Sequence, residues 1–299
     1  MFKILNIFKM KHLLLARFQG ALIGGNIIYI DRHQLSPNQL IIDTTPALIA
    51  GITSLIHHHR FDPQDWGKNI QPDISSPERA IIAMLPLILF FHDDRVKLRA
   101  TLIDVSHSWE LDWETCSSAV AIGYIISRSL TESFNPRTII SQLLDETINL
   151  HPDLYQSLNA IDRLLAQAHS LHQVTEKLTV SPHPIITPTV LAIYCFLSTP
   201  ADFGLATRRA NRIEYEHQLT CALTGILSGA DNSLMGIPLN GYLATQERDR
   251  WLLEAENLLS AWAGVYHEHS SRSSLSPASS QPTVAYPLAV AAPQVIQRR

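Results

Sequence analysis

His57-His58-His59 and His92-Asp93-Asp94 are the two places where residue type alone suggests a metal. A histidine run can bind an ion. Three consecutive residues on a helix point in different directions, however, and cannot all face one ion. The better reading is a solvated helix end with its imidazoles near the negative pole. An adjacent His-Asp pair can take part in metal-dependent hydrolysis when an upstream His and a downstream Asp join it. His57 or His58 and Asp104 can be nominated, but nothing around them supports the set. A helix C-terminus followed by a polar turn is the better reading of His92 to Asp94. Asp43 beside Thr44 and Thr45 reads as a helix N-cap, and Glu214 and Glu216 as favourable first-turn charges. No glycine-rich phosphate loop opens a helix and no G-x-S-x-G elbow is present. A Ser/His/Asp triad cannot be singled out of 14 histidines.

The elements that would position these groups are helical. Thr45-Pro46, Ser76-Pro77, Asn135-Pro136, Thr187-Pro188 and Thr199-Pro200 each set a capping side chain before a proline and an apolar-periodic run. A cap oxygen satisfies a free backbone N–H, and proline at the first helical position loses nothing. Apolar residues recurring at three- and four-residue steps predict further helices over about 112–130, 152–168, 216–231 and 245–264. Asn26 to Ile30 reads as the end of the first helix. The expected fold class is all-α. The domain is expected to span 15–265, after an extension over 1–14 and before a tail over 266–299. That tail is serine- and proline-rich with no helical period, a composition that predicts disorder.

Composition narrows the function. A 46% apolar and 17% charged chain is globular, and a formal charge of −4 gives no electrostatic footprint for nucleic acid. Three distant cysteines, Cys116, Cys195 and Cys221, read as reduced, buried thiols. The lysines of the first residues interrupt any signal-peptide core. The longest apolar run, Ala80 to Phe91, is short of the roughly 20 residues that span a bilayer. The expectation is a cytoplasmic protein with no membrane span.

Gly20 and Gly24 share a helix face, as do Gly225 and Gly229 late in the chain. A helical glycine costs about 1 kcal/mol against alanine. Close approach of two helix backbones would offset that cost, so these two helices are expected to cross in the core.

Arg17-Phe18-Gln19-Gly20-Ala21-Leu22-Ile23-Gly24 resembles the R-x-x-G-A-L-x-G opening helix of the ADP-ribosylglycohydrolases. Gly225 to Ala230 and Ile237-Pro238 resemble that family's G-A-x-x-G-A helix and its exit. Phe61-Asp62-Pro63-Gln64-Asp65 is similar to its F-D-P-x-D turn. Thr187-Pro188, Tyr194, Phe196-Leu197, Phe203, Ala206 and Ala210 follow its middle progression. The resemblance implies a single orthogonal helical domain whose cleft holds two Mg²⁺ ions, and an enzyme that removes ADP-ribose from a modified side chain, often arginine. In that chemistry the metals position the ribose hydroxyls and the attacking water.

The departures from the pattern decide what is expected of this chain. The family's T-D-D-T falls on Ile42-Asp43-Thr44-Thr45, and its G-G-D-A-D-T on Glu214-Tyr215-Glu216-His217-Gln218-Leu219. Asp43 remains, Glu216 stands in for one aspartate, and Thr44 and Gln218 are neutral where the family has carboxylates. The opening Gly-Asp pair is Ile28-Tyr29, the N-G loop is Pro77-Glu78-Arg79, and the Thr-His pair is Ser106-His107. Two divalent ions carry four positive charges, and Asp43 with Glu216 balances half of that. The resemblance therefore implies at most one weakly held Mg²⁺ on Asp43 and Glu216. The expected cleft lining is Tyr29, Thr44, Thr45, Ser106, His107, Tyr215 and Gln218. The reading is a catalytically inactive or very weak family member whose old cleft or surface binds an ADP-ribose-like small molecule or a protein partner. Two alternatives stay open. One is a working hydrolase in which Asp43, Glu216 and His107 hold one ion. The other is an interaction protein whose cleft is filled by Ile28, Tyr29, Ile42, Tyr215 and Leu219.

Overall fold

The computed structural model describes residues 13–26, 44–70, 74, 76–147, 149–167, 169–238 and 245–265. The tail, most of the N-terminal extension and the stretch holding Ile28, Tyr29, Ile42 and Asp43 lie outside the described residues, and so do the expectations placed on them.

Fourteen α-helices and one 3-10 turn form the described chain, with no strand among the described residues. They are α1 (13–26), α2 (Thr45–His58), α3 (Pro63–Asn69), α4 (Pro77–Ala83), α5 (Leu85–Phe90), α6 (Arg95–Ser108) and α7 (Trp113–Leu130). After them come α8 (Ile139–Glu146), α9 (Pro152–Ala166), α10 (Leu171–Leu178), α11 (Ile186–Ser198), α12 (Phe203–Ala210), α13 (His217–Asn232) and α14 (Thr245–Trp262). The all-α class is as the sequence predicts.

The caps show where the local sequence sets each start. Asp62, Asp94, Asp112 and Asp202 each accept backbone N–H bonds at the heads of α3, α6, α7 and α12. Pro63 and Pro77 sit in the first turns of α3 and α4. Three proline signals differ from expectation. Thr199-Pro200 closes α11, because Asp202 is the residue that bonds the Leu205 N–H and starts α12. Asn135-Pro136 forms a turn in which Asn135 accepts from the Arg137 N–H, and α8 begins only at Ile139. Thr187-Pro188 lies inside the first turn of α11, where the Thr187 hydroxyl accepts from the His183 N–H. The apolar run ending at Phe91 is two short helices, since Pro86 cannot donate and its ring crowds the preceding turn.

Three helices, α7, α11 and α13, are apolar nearly all round and make the centre of the core, with α13 packed on both α7 and α11. Two hydroxyls of this centre are satisfied locally: Thr189 and Thr224 each donate to the carbonyl four residues back, at 2.7 Å. Cys195 and Cys221 are buried here, and desolvation pushes the Cys195 thiol up to about 12, so both are inert packing groups. Cys116 differs from expectation in being half-buried.

α1 crosses α13 at the glycines. A Cβ on Gly20 would overlap the Gly229 carbonyl, one on Gly229 the Gly20 carbonyl, and one on Gly24 the Gly225 carbonyl. The pairing 20 with 229 and 24 with 225 makes the helices antiparallel, so the C-terminal end of α1 heads toward the start of α13. Arg17 fixes the other end of the crossing. Its guanidinium donates to the Ser129 carbonyl, and its charge opposes the burial that pushes the Asp231 carboxyl up.

Candidate functional site

Helix α13 begins under strain. Its N-cap, Glu216, has φ 41° and ψ 48°, the left-handed region that a non-glycine residue occupies at a cost. The side chain makes no cap bond in return. The turn is held from both sides: His217 Nδ1 lies 2.8 Å from the Ile213 carbonyl, and the Thr220 N–H donates to the Glu216 carbonyl at 3.0 Å. The Glu216 carboxyl is held above its ordinary range by partial burial and then by the charge of Glu78. Burial and the Glu216 charge together raise the Tyr215 hydroxyl. Tyr215, half-buried, packs on the core edge beside them.

Glu78 comes from the first turn of α4, a helix packed against both α2 and α13. Sequence reading counts Pro77-Glu78-Arg79 as a lost loop and misses Glu78 as a carboxylate of the site. An acid in a helix first turn is a common signal; that its charge acts on Glu216 depends on tertiary packing. Thr44 is the N-cap of α2, 4% exposed, with its hydroxyl making no cap bond. Thr45 opens that helix half-buried, and Gln218 is half-buried in the first turn of α13. Leu219 is fully in the core.

The Ser106-His107 pair has different surroundings. Ser106 is buried and donates to the Leu102 carbonyl of its own helix at 2.8 Å. His107 is exposed and lines a cavity of about 360 Å³ with Arg99, Asp112 and Cys116, a lining that includes none of Thr44, Tyr215, Glu216 or Gln218. His92 is 3% exposed, bonds the Leu89 carbonyl at 2.7 Å through Nδ1 and meets Phe18 edge-on. Desolvation lowers its pKa. Asp93 accepts from the Trp262 indole and Asp94 caps α6, so the His-Asp-Asp run is a packed histidine and a polar turn. His57 and His58 are exposed in the last turn of α2, as expected of a solvated helix end.

These donors can be tested against two Mg²⁺ ions. A dinuclear site needs several hard oxygen ligands converging on both ions. Among the described residues no three of His, Cys, Asp and Glu converge in a group that could hold a metal. Glu78 and Glu216 act on one another as like charges, which helps raise the Glu216 carboxyl instead of offering it a cation. The amide of Gln218 and the hydroxyl of Thr44 add no charge. The described set does not fit a pair of divalent ions.

An all-helical domain with a strained glutamate at the start of a core helix is a class to which other proteins can be compared. The profile of the ADP-ribosylglycohydrolase family matches residues 29–269, and the chain belongs to that family. The match runs on through α14 and begins after α1, so Gly20 and Gly24 lie outside it while Gly225 and Gly229 lie within. A solved structure described as an "ADP-ribosylglycohydrolase-related protein complex" is similar in fold, with a TM-score of 0.63 at 15% identity, covering 85% of this chain and 99% of that one. No curated protein matches the sequence. No described helix is long and apolar enough to cross a membrane.

Glu216 can be tested directly. Glu216→Gly is expected to stabilise the protein by about 1 kcal/mol through relief of the left-handed backbone. Glu216→Gln keeps the strain and removes the charge. Because the folded-state carboxyl is raised, wild-type Glu216 favours folding at acid pH and loses that contribution as pH rises through its folded pKa. The Gln variant should therefore melt above wild type at neutral pH, with the gap closing on acidification. Thermal melts across pH check it. A gap that widens toward acid would contradict the placement of Glu78 against Glu216.

Proposed function

We propose that the chain is an ADP-ribosylglycohydrolase-family protein with no or very weak hydrolase activity, and that the surface where α4 meets the start of α13, here the α4–α13 mouth, binds a ligand of the ADP-ribose class. The observation that carries the reading is Glu216. It is kept in a strained backbone with its carboxyl raised by burial and by the charge of Glu78, and in the resemblance it stands in for a family aspartate. Packing and helix capping give no reason for it, and strain retained without a structural return points to a binding role. Glu216, Glu78 and the Tyr215 hydroxyl offer acceptors and a donor suited to sugar hydroxyls.

An active hydrolase is the less favoured reading, because Thr44 and Gln218 cannot supply the missing charge. In that alternative, a single ion would rest on Asp43, Glu216 and His107. Calorimetric titration with ADP-ribose, with and without Mg²⁺ or Mn²⁺, separates these readings. Binding that is independent of metal and weakened tenfold or more by Glu216→Ala supports the proposal. Absence of ADP-ribose binding under both conditions rejects it, and binding that requires the metal favours the enzyme.

A further inference from the structure

The corner where α9, α11 and α12 meet the turn before α8 encloses a cavity of about 690 Å³, within the size range of small-molecule sites. Its apolar wall includes Leu165 and Leu197, and its charged lining consists of Arg137, Arg209 and Asp162. The cavity lies away from the α4–α13 mouth. Pro200, on its wall, accepts a bond from Asn232 at the C-terminal end of α13, while Glu216 sits at the opposite end, ~20 Å away along the helix.

Arg209 is held in an unusual state. Its guanidinium lies 5.7 Å from the Tyr194 ring centroid, and Nη2 donates to the Tyr194 hydroxyl at 3.4 Å. That hydroxyl gives its proton to the His169 carbonyl, at 2.7 Å. The Nε–H of Arg209 is buried with no hydrogen-bond partner among the described residues. The arginines seen paired with acidic side chains are Arg95, Arg128 and Arg248. A guanidinium cannot shed its charge, and a buried donor left unmade costs on the order of 1–3 kcal/mol. Ring contact positions Arg209 without neutralising it. Arg137 is exposed on the same cavity, and its backbone N–H donates to Asn135. Two arginines against one aspartate leave the lining with an excess of one positive charge.

We propose that this cavity binds a small molecule bearing one oxyanion, a phosphate monoester or a carboxylate, clamped by Arg209 and Arg137 with its body against Leu165 and Leu197. Arginine's planar fork matches either group, and the buried Nε–H gains the acceptor it lacks. Tyr194 pre-sets the fork, so little side-chain freedom is lost on binding.

The test uses inorganic phosphate and acetate as probes on the full chain, at ionic strength matched with chloride. At ten times its Kd, the recognised probe should raise the Tm by about 3 °C over chloride. The stronger of the two identifies the oxyanion type. Arg209→Gln and Arg137→Gln should each weaken that probe about tenfold or more; Arg137 is exposed, so its variant tests the clamp without threatening the fold. Equal Tm values in phosphate, acetate and chloride overturn the proposal. A shift that survives both substitutions overturns it as well.

Discussion

Gly20→Val and Gly229→Val should each cost on the order of 4 kcal/mol or more, and neither variant is expected to accumulate as soluble protein at 37 °C. The reason is what the added atoms meet. A Cβ on Gly20 would lie 3.0 Å from the Gly229 carbonyl carbon and closer still to its oxygen, and the reverse substitution meets the Gly20 carbonyl. Backbone cannot rotate aside as a side chain does, so α1 must lift off α13. Doing so uncovers Phe18, Leu22 and Ile23, all fully buried, and leaves Asp231 without the Arg17 charge. A typical domain is stable by about 5–15 kcal/mol, so such a loss consumes much of the margin.

Gly25 on the same helix is the internal control. A Cβ there meets the Ile226 side chain, 2.7 Å away, which can shift. Gly25→Ala is expected to change stability by less than about 1 kcal/mol, because the helix propensity of alanine offsets the adjustment. Chemical denaturation of Gly20→Ala and Gly25→Ala side by side measures the contrast. Equal midpoints for those two would show that the crossing tolerates separation and refute the argument.

The second large effect is expected in catalysis. With Mg²⁺ or Mn²⁺ supplied, the protein should release ADP-ribose from ADP-ribosylated arginine several powers of ten more slowly than a metal-bearing hydrolase. Metal in such a reaction both positions the sugar and activates water. The mouth opposes it: Glu216 is pushed toward its neutral form by burial and by Glu78, and Gln218 and Thr44 are neutral. Restoring Thr44→Asp with Gln218→Asp should tighten divalent binding. Thr44 is 4% exposed, so an aspartate there is a buried charge, and the double variant should melt lower than wild type without metal and recover with it. Turnover by the unmodified protein that a chelator abolishes would overturn the inactive reading. A double variant indifferent to metal would discredit the alignment beneath it.

Much of the fold could be read from the chain because its signals are local. Asp112 marks a helix start through its cap bond and Ser76-Pro77 through its proline, and the glycine spacing announced the α1–α13 crossing because close backbones admit no other residue. Where a signal depended on more than its neighbours, reading failed: Thr199-Pro200 resembles a start, yet the Asp202 carboxylate farther on supplies the cap. Thr44 and Gln218 are neutral by residue type, which is all the sequence says of them directly. What only the tertiary structure decided is which groups meet. Glu78 and Glu216 are 138 residues apart, and their charges interact because α4 and α13 pack together. Ser106 and His107 look like part of the Glu216 site, but both line another cavity, where the Ser106 hydroxyl is turned onto its own helix backbone. Arg137, Asp162 and Arg209 carry no sequence pattern. Side-chain charge is a property of the residue, but burial and proximity are properties of the packed chain, and a binding site needs both.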